Sequence, residues 1–292
     1  MKTIVLGTFM LLLHLSLMGQ TAGDYYRRAV QKFNQQDYAA AITEYTRAIA
    51  LDSSSSVLFN NRGVAKSKIE DYTGCISDFT KAVQLTPSFA MAYFNRGNAY
   101  KELLKLDLAL LDYDKSIELD PKYKSAYLNR GLVRTDNMDY KGAIMDFTKA
   151  LEFDNKDEKA YNNRGVAYYK LSDYKMAIKD FDKALELDQS YYNAYINRGV
   201  CYTEMRKTEL AVKDFNLAIQ MSPMSGEGYY YRGYAQIVEV SDIEESNNDK
   251  KTLATIKSNL GKIDNACSDF KKAKNFRYSK ALEAIETYCK TP

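Results

Sequence analysis

Behind an apolar opening stretch, aromatic, small and polar positions recur along the chain with a fixed period of 34 residues. Arg-Gly pairs mark the frame at Arg62-Gly63, Arg96-Gly97, Arg130-Gly131, Arg164-Gly165, Arg198-Gly199 and Arg232-Gly233, and Arg28-Ala29 extends it backwards. A repeat numbered from 1 to 34 starts at Ala22, Ser56, Ala90, Lys124, Glu158, Tyr192 and Gly226. Position 4 is then always aromatic, from Tyr25 and Phe59 to Tyr229. Position 20 is small (Ala41, Cys75, Ala109, Ala143, Ala177, Ala211), and position 24 is aromatic again (Tyr45, Phe79, Tyr113, Phe147, Phe181, Phe215). Position 27 is small in each of these copies. Positions 4, 7, 8 and 11 share one helical face, as do 20, 24 and 27, so the spacing predicts two helices per repeat. Small residues at 8 and 20 let two backbones approach while the rings fill the gaps beside them. Asp37-Tyr38, Asp71-Tyr72, Asp139-Tyr140 and Asp173-Tyr174 supply a turn and the start of the second helix. Pro87, Pro121 and Pro223, all at position 32, stop it. No strand-like alternation competes.

This pattern resembles the tetratricopeptide repeat, whose 34-residue frame carries an aromatic, a Leu-Gly, then Tyr, Ala, Phe and a terminal Pro. The resemblance covers about residues 22–280. It implies an all-α fold, a right-handed superhelical solenoid of antiparallel helix pairs whose first helices line a concave groove. Two departures stand out. The family's usual Trp is Tyr or Phe here, and its usual Leu before the glycine is Arg in all seven copies. The expected organisation is a signal peptide at 1–19 and repeats at 22–55, 56–89, 90–123, 124–157, 158–191, 192–225 and 226–277, followed by a capping helix in 278–292. In the seventh repeat the frame slips and resumes 21 residues late at Ala266, Asp269-Phe270 and Ala273. The inserted stretch, around 239–262, reads as a loop with a short helical piece, Thr252 to Leu260, projecting from one rim; it is either a solvated loop or a partner-contact element.

Each arginine at position 7 is matched by an acid at position 23: Arg28/Glu44, Arg62/Asp78, Arg96/Asp112, Arg130/Asp146, Arg164/Asp180, Arg198/Asp214 and, across the insertion, Arg232/Asp269. Both positions flank core residues on facing helices, which predicts a ladder of bidentate ion pairs clamping the two helices together. The alternative is an anion-binding stripe of arginines.

Composition narrows the chemistry. Forty-one Lys+Arg against 38 Asp+Glu give a formal charge of +3, too balanced to call for nucleic acid or an anionic membrane. The single histidine, His14, lies in the opening apolar run Ile4–Leu17, which follows Lys2 and precedes Gly19, Ala22 and Gly23. That run has the form of a cleaved secretory signal and is short for a membrane span of about 20 residues; an uncleaved anchor or an amphipathic first helix is the other reading. Once it is removed the chain has no histidine, which disfavours triad chemistry and His-ligated metal. We expect no enzyme activity, no cofactor, no metal and no stable membrane span in the mature form. An exported protein follows, in the periplasm or outside a bacterium, or in a eukaryotic secretory compartment. Cys75 and Cys201 fall at small core positions and read as buried thiols. Cys267 and Cys289, on successive helices, are candidates for a disulfide staple in such a compartment.

The groove positions of the first helices are about 2, 5, 6, 9, 12 and 13. Position 6 is asparagine in five consecutive repeats, Asn61, Asn95, Asn129, Asn163 and Asn197. A carboxamide both donates and accepts, so a regular ladder can grip the backbone of an extended segment; the same asparagines can instead bridge neighbouring helices. Phe94, Asn98, Lys101, Asn162 and Tyr169 are further candidate groove residues. Tyr230, Tyr231, Tyr234 and Ile237 make the seventh repeat's face aromatic, either for docking or for contact with the capping helix. Position 5 is never lysine, so the family's lysine-built clamp for a C-terminal carboxylate is not expected. The leading functional reading is a non-enzymatic scaffold or adaptor holding a protein or peptide partner in its groove. The alternatives are a structural or oligomeric subunit using its ends and convex face, or a glycan-binding accessory using its tyrosines.

Overall fold

The computed structural model describes residues 20–246 and 253–289. The segment read as a signal, 1–19, and residues 247–252 of the insertion lie outside the described residues. Fifteen helices and no strand occur among the described residues. Two compact units make up the chain, 1–137 and 138–292.

The first unit holds α1 (Ala22–Asn34), α2 (Tyr38–Leu51), α3 (Ser56–Ser67), α4 (Tyr72–Leu85), α5 (Ala90–Glu102), α6 (Leu106–Leu119) and α7 (Lys124–Asp136). The second holds α8 (Tyr140–Phe153), α9 (Glu158–Lys170), α10 (Tyr174–Leu187), α11 (Tyr192–Glu204), α12 (Thr208–Met221), α13 (Gly226–Ser246), α14 (Leu253–Asn275) and α15 (Ala281–Tyr288). Within each unit consecutive helices pack on one another, as a solenoid of helix pairs requires. Four second helices begin at capping aspartates: Asp37 accepts the Ala40 amide, Asp71 that of Gly74, Asp139 that of Gly142 and Asp173 that of Met176, whereas α6 and α12 follow Lys105 and Lys207 without a side-chain cap. They end one residue before Thr86-Pro87, Asp120-Pro121 and Ser222-Pro223.

The turn inside each repeat carries a feature with no glycine to announce it. Position 15 adopts left-handed backbone in six repeats, at Gln36, Glu70, Leu104, Met138, Ser172 and Arg206, with φ of 56 to 62°. In the third repeat the Leu104 amide donates to the Lys101 carbonyl at 2.9 Å and the Lys105 amide to the Tyr100 carbonyl at 2.9 Å. This pair of bonds closes the helix end, as in a Schellman motif, and the next helix starts within one residue.

The position-24 rings form the centre of each repeat. Tyr45, Phe79 and Tyr113 in the first unit are at most 3% exposed, and Phe147, Phe181, Phe215 and Phe270 in the second are fully buried. Each ring contributes about 1.5–3 kcal/mol by leaving water. The glycine at position 8 is set by this ring: a Cβ on Gly63 would lie 2.7 Å from Phe79, and one on Gly165 2.7 Å from Phe181.

Where it is described, the insertion is helical and belongs to the repeat's own two helices. Residues 239–246 continue α13 and 253–262 open α14, so both helices of the seventh repeat are lengthened. Val240 is 5% exposed and Lys262 pairs with Glu239 at 2.5 Å. Continuing two packed helices satisfies backbone groups internally, which a polar loop would leave to water. The chain closes on α15, joined to α14 by a disulfide between Cys267 and Cys289. Cys75 and Cys201 are free and buried. No described helix is long and apolar enough to cross a membrane.

Candidate functional site

The arginines at position 7 each meet three groups. Arg164 donates from Nε and Nη2 to the two carboxylate oxygens of Asp180 at 2.8 and 2.7 Å. Its remaining nitrogen, Nη1, reaches Thr148 of the preceding repeat at 3.0 Å, and its guanidinium lies 5.5 Å from the Tyr161 ring centre. The same bidentate bond joins Arg62 to Asp78, Arg96 to Asp112, Arg198 to Asp214 and Arg232 to Asp269. Arg28 makes a single bond to Glu44. Arg130 belongs to the first unit and Asp146 to the second; within the first unit Arg130 pairs with Asp114 at 2.6 Å. The backward bond of Nη1 ends on position 25 each time, at Thr46, Thr80, Asp114, Thr148, Asp182 and Asn216. Burial pushes the Asp214 carboxyl up, against two hydrogen bonds from Arg198. For Arg198, burial works against the charge, and the bonds and charges of Asp214 and Asp182 outweigh it, so its pKa is raised. These bonds commit the guanidinium groups to protein carboxylates, hydroxyls and one amide.

Four of the five asparagines of position 6 reach backwards too. In the first unit Asn95 Nδ2 donates to Asn60 at 3.0 Å, Asn129 Nδ2 to Asn98 at 2.7 Å, and Asn61 Nδ2 lies 3.5 Å from the Tyr26 hydroxyl. In the second, Asn197 Nδ2 donates to Asn162 at 2.9 Å, and Asn162 Nδ2 to Asn163 at 3.4 Å. Asn162 is only 6% exposed, so it supports the rung rather than facing a ligand. Asn98 also accepts from the Tyr113 hydroxyl at 2.8 Å, and Phe94 packs on Tyr113 and Tyr123. Lys101 sits 3.3 Å from Glu102. Each bridging carboxamide spends one hydrogen on the neighbouring repeat and retains a second.

A cavity of about 510 Å³ lies within the second unit, among the first helices of repeats five to seven. From α9 come Val166, Tyr169 and Lys170; from α11, Asn197, Val200, Thr203 and Glu204. Tyr230, Tyr231 and Tyr234 of α13 form the next wall, with Phe181 behind. Lys280, just before α15, closes the end. All the first-helix lining residues occupy positions 5, 6, 9, 12 or 13. Burial, and then the charge of Glu204, pushes the Tyr169 hydroxyl up to about 12. The same two causes raise that of Tyr234. Tyr230 and Tyr234 make the contact with the cap considered from sequence, packing beside Ile285, and also line the cavity. Ile237 is instead core, 7% exposed. Lys280 and Glu204 were missed by sequence reasoning; Glu204 is the position-13 residue of its helix, a signal available from the frame, whereas Lys280 enters only through the cap.

Tetratricopeptide repeat models match residues 90–123, 158–191 and 192–223, and a TPR repeat model matches 138–172. No curated protein matches by sequence. Among solved structures, a tetratricopeptide repeat protein from Parabacteroides merdae is similar at 20% identity, with TM-score 0.64, over 93% of this chain and 100% of the other. The C-terminal part of a TPR repeat-containing protein from Cytophaga hutchinsonii is similar at 20% identity, with TM-score 0.66, over 89% and 99%. YrrB, described as a TPR protein with an unusual peptide-binding site, is similar at 25% identity, with TM-score 0.54, over 71% and 97%.

Proposed function

Because the chain is a tetratricopeptide-repeat protein, a fold whose members serve as protein–protein interaction scaffolds, we propose that it holds an extended segment of a partner protein against its first helices. The observation that carries this reading is the cavity at repeats five to seven, lined from α9, α11 and α13 by residues at positions 5, 6, 9, 12 and 13 of their repeats. Asn197 brings to it a carboxamide with one hydrogen and its carbonyl oxygen unbonded among the described residues, which suits a peptide backbone. The peptide-binding site of YrrB lends support by similarity. We take the role to be non-enzymatic: acids of the repeat frame such as Asp71, Asp180 and Asp214 are spent on a helix cap and on arginines. The bond between Cys267 and Cys289 favours an exported location, where disulfides persist.

A photo-crosslinking amino acid placed at Asn163, Val200 or Tyr234, and for comparison at Met145 or Lys179 on second helices, tests the proposal in extracts of the source cell. A single partner captured from the first three positions and not from the other two is expected. Capture from the second-helix positions alone would move the function to the opposite face and favour the assembly reading.

A further inference from the structure

The cavity of repeats five to seven is built to choose what it holds. Its floor is apolar, with Val166, Val200 and the fully buried ring of Phe181. Tyrosine rings stand around it, among them Tyr230 and Tyr234, parallel to within 6° with centres 6.4 Å apart. A flat apolar side chain gains most from such walls, because rings stack or meet edge to face with more than the area term alone. The volume of about 510 Å³ fits one large side chain with its neighbours rather than a folded element.

The charges are as specific. Lys170, Lys280 and Glu204 line the cavity, and none of the three has an ion-pair partner among the described residues. The arginine ladder, by contrast, pairs its ions. Two ammonium groups against one carboxylate leave the cavity with an excess positive charge. Lys280 is the residue before α15, whose other end the Cys267–Cys289 bond ties to α14. Glu204, near Tyr169 and Tyr234, keeps a ligand carboxylate on the lysine side.

We infer that this cavity is a subsite for an aromatic side chain with an acidic residue next to it, the ring entering between the tyrosines and the carboxylate lying against Lys170 and Lys280. This rests on the groove reading above and deepens it by naming the chemistry of the bound segment.

The test uses the full oxidised chain and three fluorescein-labelled eight-residue Gly/Ser peptides with a central Asp-Phe, Lys-Phe or Asp-Ala pair, followed by anisotropy at low salt. The Asp-Phe peptide should bind at least about tenfold more tightly than either other peptide, and Lys170→Gln/Lys280→Gln should remove about tenfold of that, in line with two charge-assisted bonds. Both lysines are exposed and unpaired, so the variant should keep the parent's helicity and melting temperature. Tyr234→Ala should lower binding of both Phe peptides. Equal or tighter binding of the Lys-Phe peptide, no change in the folded lysine variant, or no binding of any peptide would overturn the inference. Peptides bound without regard to ring or charge would leave the groove reading standing, since that reading fails only if crosslinks avoid the groove positions.

Discussion

Removing Arg164 exposes how much of the repeat rests on its ion pair. In the folded chain Asp180 is 2% exposed, and both its oxygens are bonded by Arg164. In Arg164→Met the methionine fills much of the space, but the carboxylate stays buried with its two strongest bonds gone. Breaking a buried pair in this way costs about 3–5 kcal/mol. The double variant Arg164→Met/Asp180→Leu removes the stranded charge as well. Its remaining losses are the Thr148 bond and the contact with the Tyr161 ring, about 1–2 kcal/mol together. The double variant should therefore recover about 2 kcal/mol relative to the single one. Chemical denaturation of the full chain followed by circular dichroism at neutral pH measures this, with the slope compared between variants, since repeat arrays can unfold in parts. A second signature is pH. A stranded buried carboxylate has its folded pKa raised, so the protonated form is favoured in the fold; the deficit of Arg164→Met relative to the parent should shrink as pH falls and grow as pH rises. Equal losses in the single and double variants, independent of pH, would refute the buried-pair reasoning.

Three further outcomes follow from particular residues. The Ser116 hydroxyl is fully buried with no hydrogen-bond partner, at a position that is alanine in the other repeats, so Ser116→Ala should raise stability by about 1 kcal/mol in the same denaturation assay. Leu104 is 82% exposed at φ 56°; relief of left-handed strain outweighs glycine's entropy, and Leu104→Gly should stabilise by about 0.5–1 kcal/mol, visible as a higher melting temperature. Burial pushes the Cys75 thiol up to about 11 and that of Cys201 up to about 12. Ellman's reagent should thus find no reactive thiol in the native chain at pH 8, two after unfolding without reductant and four after reduction.

Much of this architecture was legible in the chain because it repeats. The 34-residue frame located the helices, the aspartate caps and the prolines after each second helix, since each of these acts within a few residues. The lengthening of both helices of the seventh repeat was not read from the polar run around Glu244 to Lys251, because the helical continuation on either side draws on packing of Val240 and on the Lys262–Glu239 pair. The left-handed residue at position 15 had no glycine to mark it; at Gln36, Glu70, Leu104, Ser172 and Arg206 the two bonds closing the helix end hold it there. The backward partner of each arginine, at position 25, was present in sequence as a run of Thr, Thr, Asp, Thr, Asp and Asn. It went unread because such residues are also ordinary on an exposed helix face. The cavity's lysine pair needed the fold, since Lys170 and Lys280 are far apart in the chain and meet only through the cap.

The backward reach of each arginine also makes the array editable. Arg232 bonds Asn216 of the repeat before it, and Arg198 bonds Asp182 of the repeat before that. Excising residues 192–225, one whole period, would bring Arg232 opposite Asp182, another acceptor, and leave no donor stranded. Excising a length that is not a whole number of periods would shift every later arginine off its acceptor. Length is thus quantised, and whole copies can be gained or lost by duplication at little energetic penalty. What sets where the series stops is the pair of terminal devices, the Thr21–Asp24 capping box at one end and the disulfide-held α15 at the other.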